Sequence, residues 1–158
     1  MKKQRRNIIK IAFFISIITI IGCDKKEEII EFPFDAIENK IKLNRSEPFK
    51  LDLVDVVPFV WDSLYIFKPY TSIAKINDDI GYEWKEAHKT HINDDDGINL
   101  LVFTEKEKVV KYIKWPRNKG DFTRINPLNN PYSRKKSMFI LKKEKTGNQD
   151  WWFFYELE

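Results

Sequence analysis

The chain has 158 residues, of which 15% are aromatic and only five are glycine, and it carries 28 Lys and Arg against 24 Asp and Glu. A chain this rich in Phe, Tyr and Trp can bury enough apolar surface to fold, which excludes a disordered tail. Its single cysteine, Cys23, excludes an intrachain disulfide, so the stability of the folded part must come from packing.

The first 22 residues have the three parts of a secretory signal. Residues 1–7 are basic and contain no acid, residues 11–21 form an unbroken apolar stretch, and Gly22 is a small residue at the cleavage position. The apolar stretch is too short to cross a bilayer as a helix, which takes about 20 residues. The pattern predicts a signal peptide at 1–22 that is cleaved after Gly22.

The sequence Ile20-Ile21-Gly22-Cys23 resembles the lipobox of bacterial lipoproteins, which has a branched aliphatic residue, a variable position, a small residue and the cysteine. The resemblance implies that Cys23 Sγ receives a diacylglyceryl group and that a fatty acid such as palmitate is added to the new amino terminus. An ordinary buried or free cysteine is the alternative, and the spacing favours lipidation. The rest of the chain would then lie outside the cytoplasm, anchored by lipid to the cell membrane or the outer membrane.

Residues 23–32 are predicted to form a charged tether behind this cysteine. The sequence DKKEE at 24–28 is too polar to pack, and a solvated tether is the favoured interpretation. This segment resembles two different sorting signals, which point to different membranes, so the sequence does not decide which membrane holds the protein. Asp24 directly after a lipidated cysteine resembles an inner-membrane retention mark, whereas an acidic cluster with lysine resembles a signal for export to the cell surface.

Cleavage of the signal changes the net charge of the protein. Five bases and no acids lie in residues 1–22, so the mature chain has 23 bases and 24 acids and a net charge near −1. The pI of about 9.0 therefore belongs to a segment that is removed. The charge gives no reason to expect nucleic acid as a partner.

Residues 33–158 are predicted to fold as a single α+β domain. The spacing of Phe34, Ile37 and Ile41 indicates a short helix at about 34–43.

Two strands and a second helix are expected next. The sequence FKLDLVDV at 49–56 alternates apolar and polar residues as a half-buried strand does, and WDSLYIF at 61–67 is aromatic and branched enough for a more buried strand. Thr71 or Ser72 then caps a short helix that ends at Gly81.

The second half of the chain is expected to form two hairpins separated by a loop rich in Pro and Asn. The first hairpin joins strands at 98–105 and 108–115 through a two-residue turn, and the second joins strands at 137–144 and 150–157 around Gly147. Together these elements indicate a mainly antiparallel sheet of about six strands with one or two short helices.

The stretch VWDSLYIFKPYTS, residues 60–72, resembles a W-D-x-L/V-Y-I/V-F-x-P-Y-T pattern of a family of small bacterial lipoproteins and secreted proteins that has no assigned function. The stretch LLVFTEKEKVVKYIKWPRNKGDF at 100–122 fits the same family. The resemblance spans about residues 49–122. It implies a fold and supplies no catalytic residue.

The sequence HKTHINDDDG, residues 88–97, is the best candidate for chemistry. His88 and His91 lie three apart, so on a helix their imidazoles share one face. With a carboxylate from Asp94 or Asp96 they can hold one metal ion, which would indicate a small metal-dependent hydrolase. A solvated turn before a strand is the favoured interpretation, because the spacing matches no zinc-protease motif and no calcium loop. No cofactor is therefore expected.

The sequence DWWFFYE at 150–156 carries large aromatic side chains on both faces of a strand. Trp151, Phe153 and Tyr155 point one way, and Trp152 points the other. A central strand covered on both faces is the favoured interpretation. The alternative is an exposed platform of Trp151, Trp152 and Tyr155 that binds a carbohydrate, peptidoglycan or a protein.

Nucleophilic catalysis has no candidate in this sequence, which contains no G-x-S-x-G elbow and no thiol other than Cys23. The observations favour a membrane-anchored, non-enzymatic protein of the cell envelope that binds an envelope protein partner, with an inhibitor or immunity-type role included. The metal-dependent hydrolase and the carbohydrate binder remain as alternatives.

Overall fold

The structure is a computed structural model that describes Phe34, Asn39 and residues 48–157. The predicted signal peptide, the predicted lipidation site Cys23 and the predicted tether lie outside the described residues. The predicted helix at 34–43 also lies outside them, except that Phe34 and Asn39 both have helical backbone. Among the described residues, no helix is both long enough and apolar enough to cross a membrane.

Within the described residues the chain forms seven strands and two α-helices, with five 3-10 helices between them. The strands and α-helices are β1 (Phe49–Asp52), α1 (Leu53–Val56), β2 (Ser63–Phe67), α2 (Ile73–Ile80), β3 (Ile98–Glu105), β4 (Lys108–Pro116), β5 (Tyr132–Ser133), β6 (Met138–Thr146) and β7 (Gln149–Glu156). The 3-10 helices are Lys85–Thr90, Arg117–Lys119, Phe122–Arg124, Pro127–Asn129 and Arg134–Lys136. The predicted α+β class with mainly antiparallel pairing is confirmed.

The strands are divided between two antiparallel sheets. One sheet has four strands in the order β4-β3-β2-β5, and the other has three in the order β1-β6-β7. The sequence pattern predicts the six longer strands but not β5. This strand is only two residues long and pairs with β2, and it is extended by Asn130, whose side chain bonds both the N–H and the carbonyl of Ile66 at 3.0 Å.

The hairpin of β3 and β4 confirms the predicted two-residue turn. Lys106 and Glu107 both have positive φ, 49° and 62°, as a type I′ turn requires. The ladder has one irregularity, after Phe103. Seven of the eight residues of β3 are buried, because this strand lies inside its sheet and both faces of the sheet are covered.

Helix α2 begins and ends where the sequence predicts. Ser72 Oγ accepts from the N–H of Lys75 at 3.2 Å, which satisfies one of the free donors of the first turn. Gly81 follows the last turn with a φ of 86°, and its N–H donates to the carbonyl of Asn77. Ile76 is fully buried beneath the helix.

The strand predicted at 49–56 is correct only in its first half. β1 ends at Asp52, because the Asp52 Oδ1 accepts from the N–H of Val54 at 2.9 Å and from Ser137 Oγ at 3.0 Å. An aspartate that bonds the backbone two residues ahead starts a helical turn instead of continuing a strand. Leu53 consequently points into the core and is fully buried.

Two cores lie on opposite sides of the four-stranded sheet. The core between the two sheets is strongly aromatic and includes Trp61, Phe103, Trp115, Phe122, Phe139 and Phe154. The second core lies between the four-stranded sheet and the helix layer, by which we mean α2 and the 3-10 helix Lys85–Thr90. The domain therefore has three layers: the helix layer, the four-stranded sheet and the three-stranded sheet.

Candidate functional site

The loop around His88 and His91 does not gather a metal site. His88 is exposed, and His91 ends the 3-10 helix with a φ of 58°. The Nδ1 of His91 lies 3.8 Å from Asp94 Oδ1, and both side chains are exposed. Asp95 is used within the loop, where its Oδ1 accepts from the N–H of Gly97 at 2.8 Å. Among the described residues no three His, Cys, Asp or Glu side chains are grouped so as to hold a metal ion, so the predicted ligands are not brought together.

β7 is the outer strand of the three-stranded sheet, so the interpretation as a central strand is wrong. Phe154 pairs with Leu141 and faces the space between the sheets, where both side chains are fully buried. Trp151, Phe153 and Tyr155 point the other way, as the alternation predicts. They lie on what we call the outer face, the side of the three-stranded sheet that is turned away from the four-stranded sheet.

Cations lie over three of the aromatic rings of β7. They are Arg124 over Phe153 at 4.7 Å, Lys142 over Tyr155 at 4.9 Å and Lys143 over Trp152 at 5.3 Å. Glu144 accepts from the hydroxyl of Tyr155 and forms an ion pair with Arg124 at 3.1 Å. The predicted platform is therefore divided, because Trp152 packs toward the inner core while Trp151 and Tyr155 lie on the outer face.

Two grooves meet beside the end of β7. One has a volume of about 390 Å³ and the other of about 430 Å³, and both are lined by Glu156 and Leu157. Lysines and an arginine line the far walls of the grooves. We call this surface the basic face and define it by Arg124, Lys135, Lys136 and Lys142, with the exposed Leu157 shared by the two grooves.

The acids near the basic face already have partners. Glu144 is held by the contacts described above, and Glu156 accepts from the hydroxyl of Tyr132. Burial, reinforced by this hydrogen bond, raises the pKa of Tyr132 above its ordinary value. Lys135 and Lys136 are exposed and take part in no ion pair within the part of the chain that the structure describes. The four cations of the basic face outnumber these two carboxylates, so the face keeps a net positive charge.

A third groove, of about 540 Å³, opens on the helix side of the four-stranded sheet, next to the C-terminal end of α2. Its wall includes Asp62, Tyr65, Tyr82, Thr104 and Glu107. Burial raises the pKa of Tyr65, and the carboxylates of Asp79 and Glu107 raise it further. The hydroxyl of Tyr82 accepts from the N–H of Val109 at 2.6 Å. This groove presents two phenols beside two carboxylates and one lysine, Lys106.

The two sides of the domain carry opposite charge. Residues 73–97, which contain the helix layer, have seven acids and three bases. Residues 117–157, which contain β6, β7 and the basic face, have nine bases and four acids. Since the helix layer and the three-stranded sheet lie on opposite sides of the four-stranded sheet, the acidic segment 73–97 and the basic strands β6 and β7 are kept apart.

Asp121 is a buried carboxylate that ties the two sheets together. Its side chain is fully buried, and its Oδ2 accepts from Arg117 Nε at 2.9 Å. Its Oδ1 accepts from the N–H of Thr123 at 2.9 Å and from Asn99 Nδ2 on β3 at 3.4 Å. The Asp121 backbone makes two hydrogen bonds of 2.8 Å to β7. Asp121 therefore links β3 of one sheet to β7 of the other and occupies part of the free edge of β7.

Sequence reasoning misses both Asp121 and the basic face. The pattern WPRNKGDF predicts a loop, and an aspartate after Gly120 carries no sign of burial. The signal that the sequence does offer is the glycine directly before this aspartate. The structure shows why it is a glycine: Gly120 has a φ of 124°, and a Cβ there would lie 2.4 Å from Cε2 of Phe154. The lysines at 135 and 136 stand in a segment that also carries acids, and only the fold shows that neither lysine pairs with an acid among the described residues.

Comparison with known proteins finds no matching family model, no matching curated protein and no matching solved structure. The arguments about function therefore rest on the sequence around Cys23 and on the surfaces of the domain.

Proposed function

We propose that this chain is a lipoprotein of the bacterial cell envelope, held to a membrane by lipid on Cys23, whose folded domain binds a partner outside the cytoplasm. Its work is recognition and not catalysis, and an inhibitor or immunity-type role lies within that class. The anchor sets where the domain acts, and the domain surface sets what it binds.

The observation that carries the proposal is the setting of Cys23. The only cysteine of the chain directly follows a basic segment, an apolar stretch and Gly22. These features in this order direct export and lipid attachment. A cysteine that serves packing or redox chemistry does not require a basic segment, an apolar stretch and a small residue before it.

The binding role is supported by the groove of about 540 Å³ on the helix side. Tyr65 and Tyr82 offer it amphipathic rings, and Asp62 and Glu107 offer carboxylates at its rim. Tyrosine is enriched at protein interfaces because it supplies contact area and a hydrogen bond at little cost in side-chain entropy. An envelope protein with a basic contact surface suits this groove.

Lipid attachment is tested by feeding a labelled fatty acid to bacteria that express the full chain. Cys23→Ser should abolish the label and move the protein out of the detergent phase. The matched control is Thr19→Ser, which changes one residue of the apolar stretch and keeps the four lipobox positions intact. Label that persists in Cys23→Ser, or is lost equally in Thr19→Ser, would contradict the anchor.

The binding role is tested by placing a photo-crosslinking amino acid at Glu107, in the groove, and at the exposed Val60 as a control. A single discrete adduct from position 107 in intact cells, and none from position 60, is the expected result. The same smear from both positions would argue against a specific partner at the groove.

A further inference from the structure

We propose that the basic face lies against the anionic headgroups of the same membrane that holds the lipid anchor, so that the helix layer faces away from it. The ligand is the phosphate-bearing surface of a phospholipid bilayer. This inference rests on the lipidation of Cys23 proposed above, and it assigns the sheet side to the membrane and the helix side to a soluble partner.

The first support is charge complementarity. Lys135 and Lys136 are exposed, and neither has an acidic partner within the described residues. Lys142 lies over the ring of Tyr155 and leaves its charge uncompensated. Each lysine or arginine near an anionic bilayer strengthens attachment by about fivefold at physiological salt. Three such residues on one face are enough to orient a domain that is already tethered, because Arg124 is paired with Glu144.

The second support is the position of two exposed leucines. Leu128 is 86% exposed and Leu157 is 44% exposed. Leu157 lines both grooves beside Glu156, and Leu128 lies two residues after Asn126, whose carbonyl is 3.4 Å from the hydroxyl of Tyr132, the group that donates to Glu156. Apolar side chains beside lysines suit the boundary between headgroups and acyl chains, where the apolar part inserts and the cations meet phosphates.

The third support is the reach and the attachment point of the chain that leads to the lipid. Ten residues lie between Cys23 and Phe34, and the eleven steps from one Cα to the next span at most about 40 Å. The ring of Phe34 packs edge-on against Trp115 at 5.3 Å. Trp115 Nε1 donates to the carbonyl of Gly120 at 2.8 Å, next to the residue that pairs with β7. The tether therefore joins the domain at the core between the two sheets and keeps the bilayer within about 40 Å of that point, at a high effective concentration.

The acidic residues of the helix layer also favour an orientation in which the basic face lies against the bilayer. Residues 73–97 carry an excess of four acids, which an anionic bilayer repels. Attraction on one side and repulsion on the other favour a single orientation. Both forces act over about 8 Å at physiological ionic strength, so they operate only when the domain is close to the surface.

The test uses the full chain, lipidated on Cys23 and purified with its lipid, in vesicles of phosphatidylcholine alone or with added phosphatidylglycerol. An amine-acylating reagent followed by mass spectrometry measures how fast each lysine is modified. We expect Lys135, Lys136 and Lys142 to react about fivefold more slowly in the phosphatidylglycerol vesicles. Lys85 and Lys114 on the helix side should react at the same rate in both. Addition of 1 M salt, where screening acts over about 3 Å, should remove the difference.

The matched variants change the same number of charges on the two sides. Lys135→Glu with Lys136→Glu should remove the protection of Lys142, whereas Lys85→Glu with Lys114→Glu should leave it intact. Equal reaction rates in both vesicle types would overturn the proposal. Protection that appears only in native envelope membranes, and never in phosphatidylglycerol vesicles, would overturn it in favour of an acidic protein.

A chain that is not lipidated would give a different experimental result from a lipidated chain that does not adopt the proposed orientation. A chain without lipid does not float with pure phosphatidylcholine vesicles, whereas a lipidated chain floats with them whether or not the basic face meets the bilayer. Flotation therefore reports on Cys23 and lysine protection reports on the orientation. Circular dichroism of both double variants confirms that they are folded before the labelling is compared.

Discussion

The two sides of the four-stranded sheet are held together in different ways. On the helix side, α2 is defined by neighbours in the chain: Ser72 caps it, Gly81 ends it, and Lys75 pairs with Asp79 one turn away. On the other side, the three-stranded sheet depends on contacts between distant residues. Examples are Asp52 with Ser137, 85 residues apart, and Asn99 with Asp121, 22 residues apart.

This difference predicts how well each side of the domain tolerates substitutions. The helix side needs its apolar stripe and two capping residues, so a change at its surface has little to disrupt. The sheet side depends on a few buried polar contacts in an aromatic core, and losing one partner leaves the other desolvated and unsatisfied. We therefore expect equivalent substitutions to cost more on the sheet side, and the predictions below test that expectation.

The largest effect is expected for Asp121→Ala. The substitution leaves the partly exposed Arg117 and the buried amide of Asn99 without their shared carboxylate, and it should lower the free energy of unfolding by about 3 kcal/mol. Asp78→Ala on the helix side removes an exposed carboxylate and should cost less than about 0.5 kcal/mol. Urea denaturation followed by tryptophan fluorescence measures both. Similar losses in the two variants would break the comparison.

Two glycines with positive φ allow the next comparison. Gly81 has no atom within 4 Å of a built Cβ, so Gly81→Ala pays only for the left-handed backbone, about 1 kcal/mol. At Gly120 the added methyl also overlaps the ring of Phe154, and overpacking brings the expected loss to about 2 to 3 kcal/mol. Thermal melts of the two variants side by side provide the measurement, and an equal shift would mean that the ring moves aside freely.

A pH titration distinguishes Tyr132 from Tyr65. The pKa of each phenol is raised by burial, so above pH 10 the unfolded chain loses a phenol proton that the folded chain keeps. Stability gained from the raised pKa is thus present below pH 10 and falls above it, by at most about 1.4 kcal/mol per pH unit for each group.

Tyr132→Phe should remove more of this pH dependence than Tyr65→Phe, because Tyr132 is only 4% exposed and Tyr65 is half-buried. Stability measured between pH 8 and 11 for wild type and both variants checks the order. A steeper decline in Tyr132→Phe than in wild type would contradict the sign of the effect.

The smallest effect is expected for His88→Ala with His91→Ala. Both imidazoles are exposed, and the double substitution should change the free energy of unfolding by less than about 0.5 kcal/mol. Calorimetric titration of the chain with zinc is the accompanying measurement. One-to-one binding at micromolar or tighter affinity that disappears in the double variant would instead support the metal-dependent hydrolase.

The sequence predicts correctly those features that depend on interactions between residues close together in the chain. The caps of α2 follow from the short-range chemistry of Ser72 and Gly81, and the turn at 106–107 follows from the strand patterns on either side of it. Reasoning fails at Asp52, where strand alternation and helix capping compete for the same residue and only the contact with Ser137 favours the cap. It fails again for β7, because no pattern within a strand tells which strands will lie beside it.

The sequence by itself determined the α+β class, the hairpins, the boundaries of α2 and the two-sided aromatic character of β7, since all of these depend on neighbours a few residues apart. It also predicts the lipid anchor at Cys23. Only the tertiary structure decided that the strands divide into two sheets, that Asp121 is buried between them and that acids and bases separate onto opposite sides. The reason is physical: burial and charge pairing depend on which distant segments meet, and that is decided when the whole chain packs.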